Sequence, residues 1–225
     1  MLAALIKAFA QLSDPRLRRV LRIGVLAALG CWLALALAAS AVLRHVRLFD
    51  TAWIDTGGSA LLGLIAVLVP MLFFSALATF VMSFFLDDIA RVVEDAHYPG
   101  LPPARRAPWT EVLASSSRFL AVMVAATLIA APFYLALLFF GLGIVLNYLV
   151  NGYLLGREYF ELVAARRLGP VEVRRLHHHH FGRLWLCGAV INLLFQIPLL
   201  NLTAPVVATA FMVHVVRSLG YSEPS

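Results

Sequence analysis

A chain of 225 residues that is 62% hydrophobic and only 13% charged, with a mean hydropathy of +0.88, is too apolar for a soluble domain and reads as a single membrane domain. Its net charge of +6 and pI near 9.9 would suit nucleic acid. The basic residues instead flank apolar runs, where the positive-inside rule accounts for them, so no nucleic-acid partner is expected. Cys31 and Cys187 both lie in apolar segments, far apart, and make no disulfide framework.

Residues 1–19 open with the short apolar stretch LAALIKAFAQL, too short to span and suited to an interfacial helix lying on the membrane. Ser13-Asp14-Pro15 ends it and can start a new helix. Arg16, Arg18, Arg19 and Arg22 follow, and on composition alone they are a positive-inside anchor. A span is expected over 20–43, uncharged from residue 23 onward. It imitates a signal peptide, but its apolar region exceeds the usual length of about 7–15 residues and a second long apolar run follows, so it stays uncleaved. After a short polar connection, residues 56–86 carry no charge and hold Pro70 near their middle. They predict a long second span, tilted or kinked.

Residues 87–118 form a polar connector on the cytoplasmic side. Asp87, Asp88, Arg91, Glu94 and Asp95 read as a solvated juxtamembrane helix face, and a turn-rich loop from His97 to Pro103 comes after it. Residues 119–156 are again uncharged, interrupted by Pro132 and Gly141-Leu142-Gly143. Two full spans would need roughly 40 apolar residues plus a turn, so a shallow hairpin is expected. The basic segment 157–183 carries His177–His180. Consecutive residues spread around a helix, so the four histidines cannot ligate one metal from regular structure. Neither a metal nor a cofactor is expected, and a solvated surface accounts for the run.

Residues 184–216 are too long for one plain span and too short for two. Pro198 and Pro205 bracket Asn201 and Thr203, and proline ends a helix at or before the preceding residue. The economical reading is a second hairpin that turns at 197–205 and leaves on the side it entered. The alternative is a proline-kinked span with a packing role. In the hairpin, Thr203 would be the N-cap of the returning helix, with Pro205 near its first position. The free N–H groups of that helix, equivalent to about half a positive charge, would lie at depth and could hold an anion without a buried cation. If both hairpins return, all the lysines and arginines except Arg44 and Arg47 share one side with both termini, and that side is cytoplasmic.

Four stretches carry a family resemblance: Ser13-Asp14-Pro15-Arg16-Leu17-Arg18-Arg19; the run of the second span into 87–103; Asn151 to Phe160 (NGYLLGREYF); and Ile197-Pro198-Leu199-Leu200-Asn201-Leu202 with Pro205 following. Together they resemble the CysZ sulfate-permease family, which shares a domain family with the etoposide-induced proteins. The resemblance implies an all-α integral membrane protein. It would have two long transmembrane helices, two hemi-penetrating (re-entrant) helical hairpins and an N-terminal interfacial helix, assembled as a homo-oligomer. It also implies sulfate uptake across the bacterial inner membrane for cysteine synthesis, with the sulfate-contacting arginine pair falling on Arg18 and Arg19. Two departures stand out. Arg16 replaces the glycine before the arginines, and a Pro-Gly-x-Gly turn survives only as Gly141-Leu142-Gly143.

No acidic or basic residue lies in the cores of the four apolar runs, whereas proton-coupled transporters usually carry ionisable groups there. That leans toward a channel-like or facilitated path, lined by Asn147, Asn151, Asn192, Gln196, Asn201 and Thr203. No nucleophile–base pair or phosphate loop points to an enzyme. The rival readings are a membrane scaffold that holds a partner through 157–183, and an anion channel of other specificity.

Overall fold

The computed structural model describes residues 1–45, 80–105, 107–138 and 142–220. The expected span over 56–86 lies outside these residues up to position 79. Every regular element described is helical. The chain forms two compact units, Met1–Leu17 with Leu86–Ser225, and Arg18–Phe85.

Helix α1 covers Leu2–Ala10 and runs into a 3₁₀ turn over Gln11–Ser13. It does more than lie on a surface, because Ala8 and Gln11 are buried and it packs on the last helix of the chain, while Leu2 and Ile6 face outward. The next helix, α2 (Pro15–His45), starts where the sequence places it. Asp14 is extended and its carboxylate accepts the Arg16 N–H at 2.7 Å. Pro15 opens the helix at no cost in donors. At 31 residues the helix is about 46 Å long, more than the hydrocarbon thickness.

In the smaller unit the chain that leaves along α2 is back beside it at Met82. A Cβ built on Gly24 would come within 2.8 Å of the Met82 side chain. Met82 is fully buried there, whereas Leu26, Leu29, Leu33 and Leu37 of α2 are exposed.

The larger unit continues with α3 (Leu86–His97), α4 (Trp109–Leu138), α5 (Gly143–Ala164), α6 (Pro170–His179), α7 (Phe181–Gln196), the single turn α8 (Pro198–Asn201) and α9 (Ala204–Arg217). Its core is α9, in which every residue from Ala204 to Val216 is buried, with α1, α3, α5 and α7 around it. That is why a helix apolar on all sides is stable here.

The two hairpins expected from the apolar runs differ in reach. The first, α4 with α5, extends beyond 119–156 at both ends. Its first leg has 30 residues, about 45 Å, and Trp109–Tyr134 is long and apolar enough to cross a membrane, with none of its most apolar window buried. The second has legs of 16 and 14 residues, about 24 and 21 Å, each short of a roughly 30 Å core. Its turn falls at 197–203, as the two prolines predict. Ile197 is extended before Pro198, and α9 begins directly after Thr203.

The expected cap differs in detail. Thr203 occupies the N-cap, but its backbone is in the αR region and its hydroxyl donates to the Leu200 carbonyl at 3.0 Å. In that conformation the side chain points back along the turn instead of forward to the α9 amides. The proline sits second in the helix, where it has no N–H to be capped.

Candidate functional site

The site starts from three glycines. Gly152 and Gly156 are four apart on α5, so they share a face, and Gly188 of α7 lies against both. A Cβ on Gly188 would fall onto the Gly152 carbonyl and the Gly156 amide, and one on Gly156 onto the Leu184 carbonyl. The two backbones are in contact, the arrangement small residues permit between apolar helices. Trp185 adds a hydrogen bond from its indole N–H to the Leu149 carbonyl at 3.1 Å.

The contacts run antiparallel, so moving back along α5 and forward along α7 leads to the turn ends of both hairpins. There Asn147 meets Asn192 and Gln196. The Asn147 Oδ1 accepts from Asn192 Nδ2 at 2.8 Å and from Gln196 Nε2 at 3.0 Å. Asn192 and Gln196 are four apart and share a face. Asn192 is 6% exposed, Asn147 half-buried and Gln196 exposed. Three of the six residues expected to line a path are thus one amide cluster. It carries no charge and still has the Asn147 amide N–H groups to offer. Asn151 lies one turn along α5 from Asn147, Asn201 ends the short turn α8, and Thr203 precedes α9. No hydrogen bond among the described residues joins these three side chains to the cluster.

Arg18, Arg19 and Arg22 belong to the smaller unit and Arg16 to the larger, and all four stand exposed on the opening turns of α2. Cations at a helix N-terminus oppose the macrodipole, an unfavourable placement of about 0.3–1 kcal/mol each unless an anion is near. Such an end attracts anions through both its amides and its side chains.

An ionic clamp in the connector is absent from the sequence reading. Glu94, expected on a solvated face, is 3% exposed. Its Oε2 lies 3.2 Å from Arg166 and 2.9 Å from Arg167, and its Oε1 lies 3.4 Å from Arg217. Arg166 also pairs with the Asp87 carboxylate, and Arg167 donates to the Pro102 carbonyl. Burial pushes the Glu94 carboxyl up, but the Arg167 hydrogen bond and the Arg166 and Arg167 charges outweigh it and hold the pKa below the ordinary value. The signal was available in the sequence. Ile89, Ala90 and Val93 form the apolar stripe of α3, and Glu94 follows Ala90 by one turn, on the buried side.

The four histidines do not share one environment. His178 and His179 are exposed, while His177 packs beside Tyr153, Phe160 and Phe181. Burial, with the nearby Arg157 and His178 charges, lowers the His177 pKa to about 4.

A family model described as sulfate transporter CysZ/etoposide-induced protein 2.4 matches residues 4–205. The match takes in the arginines of α2, the glycine crossing and the amide cluster, and ends at Pro205. No curated protein matches the chain, and no solved structure does.

Proposed function

This chain belongs to the sulfate transporter CysZ/etoposide-induced protein 2.4 family, and from that premise we propose that it passes sulfate, or a similar oxyanion, across the bacterial inner membrane by a channel-like or facilitated path that supplies cysteine synthesis. The observation that carries the reading is the amide cluster of Asn147, Asn192 and Gln196 at the turn ends of the two hairpins. Neutral amide donors can replace part of an anion's hydration without trapping it, because a path must bind weakly enough to release. A carboxylate would repel the ion, and a buried cation would hold it.

Arg18 and Arg19, with Arg16 and Arg22 beside them, gather the anion and bind it through charge-assisted hydrogen bonds. Asn151, Asn201 and Thr203 complete the polar lining. The short legs of the second hairpin support a re-entrant element, and its broken backbone at 197–203 is tolerable at depth only where protein or water satisfies it. The hydrogen bond between Gln11 and His214 at 2.9 Å keeps the N-terminal segment beside the C-terminal end of α9, which supports both termini being cytoplasmic. The apolar exposure of α2 and α4 fits burial in lipid and against further copies of the chain, that is, a homo-oligomer.

The test is radiolabelled sulfate flux into proteoliposomes of the purified protein. Flux above protein-free vesicles, cut several-fold by Asn147→Leu with folding intact, is expected. Absence of sulfate flux would leave a scaffold, and preference for another anion would change the substrate.

A further inference from the structure

Arg118 directly precedes the uncharged run 119–156 and Arg157 directly follows it. With that run in a membrane hairpin, both stand near the height of the lipid phosphates. They line one cavity of about 500 Å³ with Tyr153, Arg174, His177 and Phe181, so that α4, α5, α6 and α7 all contribute. Aromatic rings among cations suit this depth. A second cavity of about 500 Å³ adjoins the first, since Arg118, Glu161 and Arg174 line both. The rest of its wall is largely apolar, built from Val112, Ala114, Phe119, Leu162, Ala165 and Val173. Further along α4, Leu120 and Val124 are exposed. A polar compartment and an apolar one thus share a wall that carries two arginines.

The other charges of the two cavities are accounted for. Arg157 donates through Nε to Glu161 at 2.7 Å and through Nη1 to the Tyr153 hydroxyl oxygen at 3.4 Å, which leaves the Tyr153 O–H to donate. Glu111 is taken by Arg105, whose Nη1 lies 2.9 Å from its Oε2. His177, with its pKa lowered to about 4, is neutral at physiological pH. Arg118 and Arg174 are exposed and have neither an ion pair nor a hydrogen bond among the described residues. With the two pairs set aside, two guanidiniums face one carboxylate, Glu158. One phosphodiester would balance the group. The positive-inside rule explains the side of the membrane these arginines occupy. It gives no reason for two of them, from separate helices, to stand between a polar and an apolar cavity.

We propose that the two cavities form a binding site for an anionic phospholipid, its phosphodiester between Arg118 and Arg174 and an acyl chain against the apolar wall. A planar guanidinium engages two phosphate oxygens at once, and the Tyr153 hydroxyl adds a third donor group. Basic pockets between membrane helices on the cytoplasmic side suit such headgroups. A free phosphate or sulfate would use the arginines and leave the apolar cavity empty, so the paired cavities favour the lipid. The inference rests on the membrane placement of α4 and α5 proposed above, and not on sulfate transport.

The full-length protein in a neutral detergent is titrated with phosphatidylglycerol, with diacylglycerol of the same acyl chains and with inorganic phosphate. Thermal shift and native mass spectrometry read the binding. Saturable stabilisation by phosphatidylglycerol, with no response to diacylglycerol, is expected. Arg118→Ala with Arg174→Ala should weaken it about tenfold or more, because two cations near the membrane surface are lost. Lys7→Ala with Arg175→Ala removes the same charge elsewhere and should leave it unchanged, and Arg118→Lys with Arg174→Lys should retain it. Ala114→Trp, which fills the apolar cavity from an exposed position, should weaken it as well. Inorganic phosphate binding as tightly as the lipid, with Ala114→Trp having no effect, would overturn the lipid assignment in favour of a free anion. A phosphatidylglycerol response identical in wild type and the Arg118→Ala, Arg174→Ala variant would overturn the site. Recovery of the protein without detergent would overturn the membrane placement and the lipid assignment with it, and none of these readouts depends on sulfate flux.

Discussion

Glu94 is the residue on which the connector depends. A carboxylate at 3% exposure would be costly if alone, yet three guanidiniums reach it, and removing one member of such a buried group typically costs about 3–5 kcal/mol. Glu94→Gln keeps the shape and removes the charge, leaving Arg166, Arg167 and Arg217 facing each other. It is expected to lower the thermal midpoint of the detergent-solubilised protein by several degrees at neutral pH. The pH dependence follows from the direction of the shift. The folded pKa lies below the ordinary value, so the stabilisation is fully present above about 4.3 and is lost as pH falls through the folded pKa. The gap between wild type and Glu94→Gln should therefore narrow in melts taken from pH 5 down to 3. A gap that stays constant would mean that Glu94 acts through packing alone.

At the scale of elements, the close crossing of α5 and α7 sets the candidate path. Gly188 touches backbone on the opposite helix, and backbone cannot swing aside as a side chain can. Gly188→Ala must push the helices apart, which typically costs about 1–3 kcal/mol for an overpacked site, and it should also draw Asn192 away from Asn147. Loss of stability together with reduced sulfate flux is expected. Gly182, on the same helix, has nothing within 4 Å of a built Cβ, so Gly182→Ala should be neutral or stabilising by up to about 1 kcal/mol. Equal melting behaviour of the two variants would remove the crossing from the account.

For the whole molecule, the proposed orientation is open to chemical labelling. In a background with Cys31→Ala and Cys187→Ala, cysteine introduced at the exposed His179 should react with a membrane-impermeant maleimide only after permeabilisation. Arg47→Cys should react in intact cells. External labelling at position 179 would overturn the hairpin topology, because it would put the basic segment 157–183 outside.

The sequence alone determined what depends on local rules. The apolar runs, the helix start at Asp14-Pro15, the turn at Pro198 and Pro205 and the family resemblance follow from composition, backbone chemistry and short motifs. It also named Asn147, Asn192 and Gln196, since uncharged polar residues in an apolar run are few. Only the tertiary structure decided that these three meet while Asn151 and Asn201 make no bond to them. Which faces of two helices touch depends on glycines that let backbones approach, and on an antiparallel register that no single run encodes. The burial of Glu94 and the gathering of Lys7, Arg183 and Arg217 around α9 have the same cause. Each depends on contacts between segments distant in the chain, whose energies outweigh the local preference for charged and polar groups to face water.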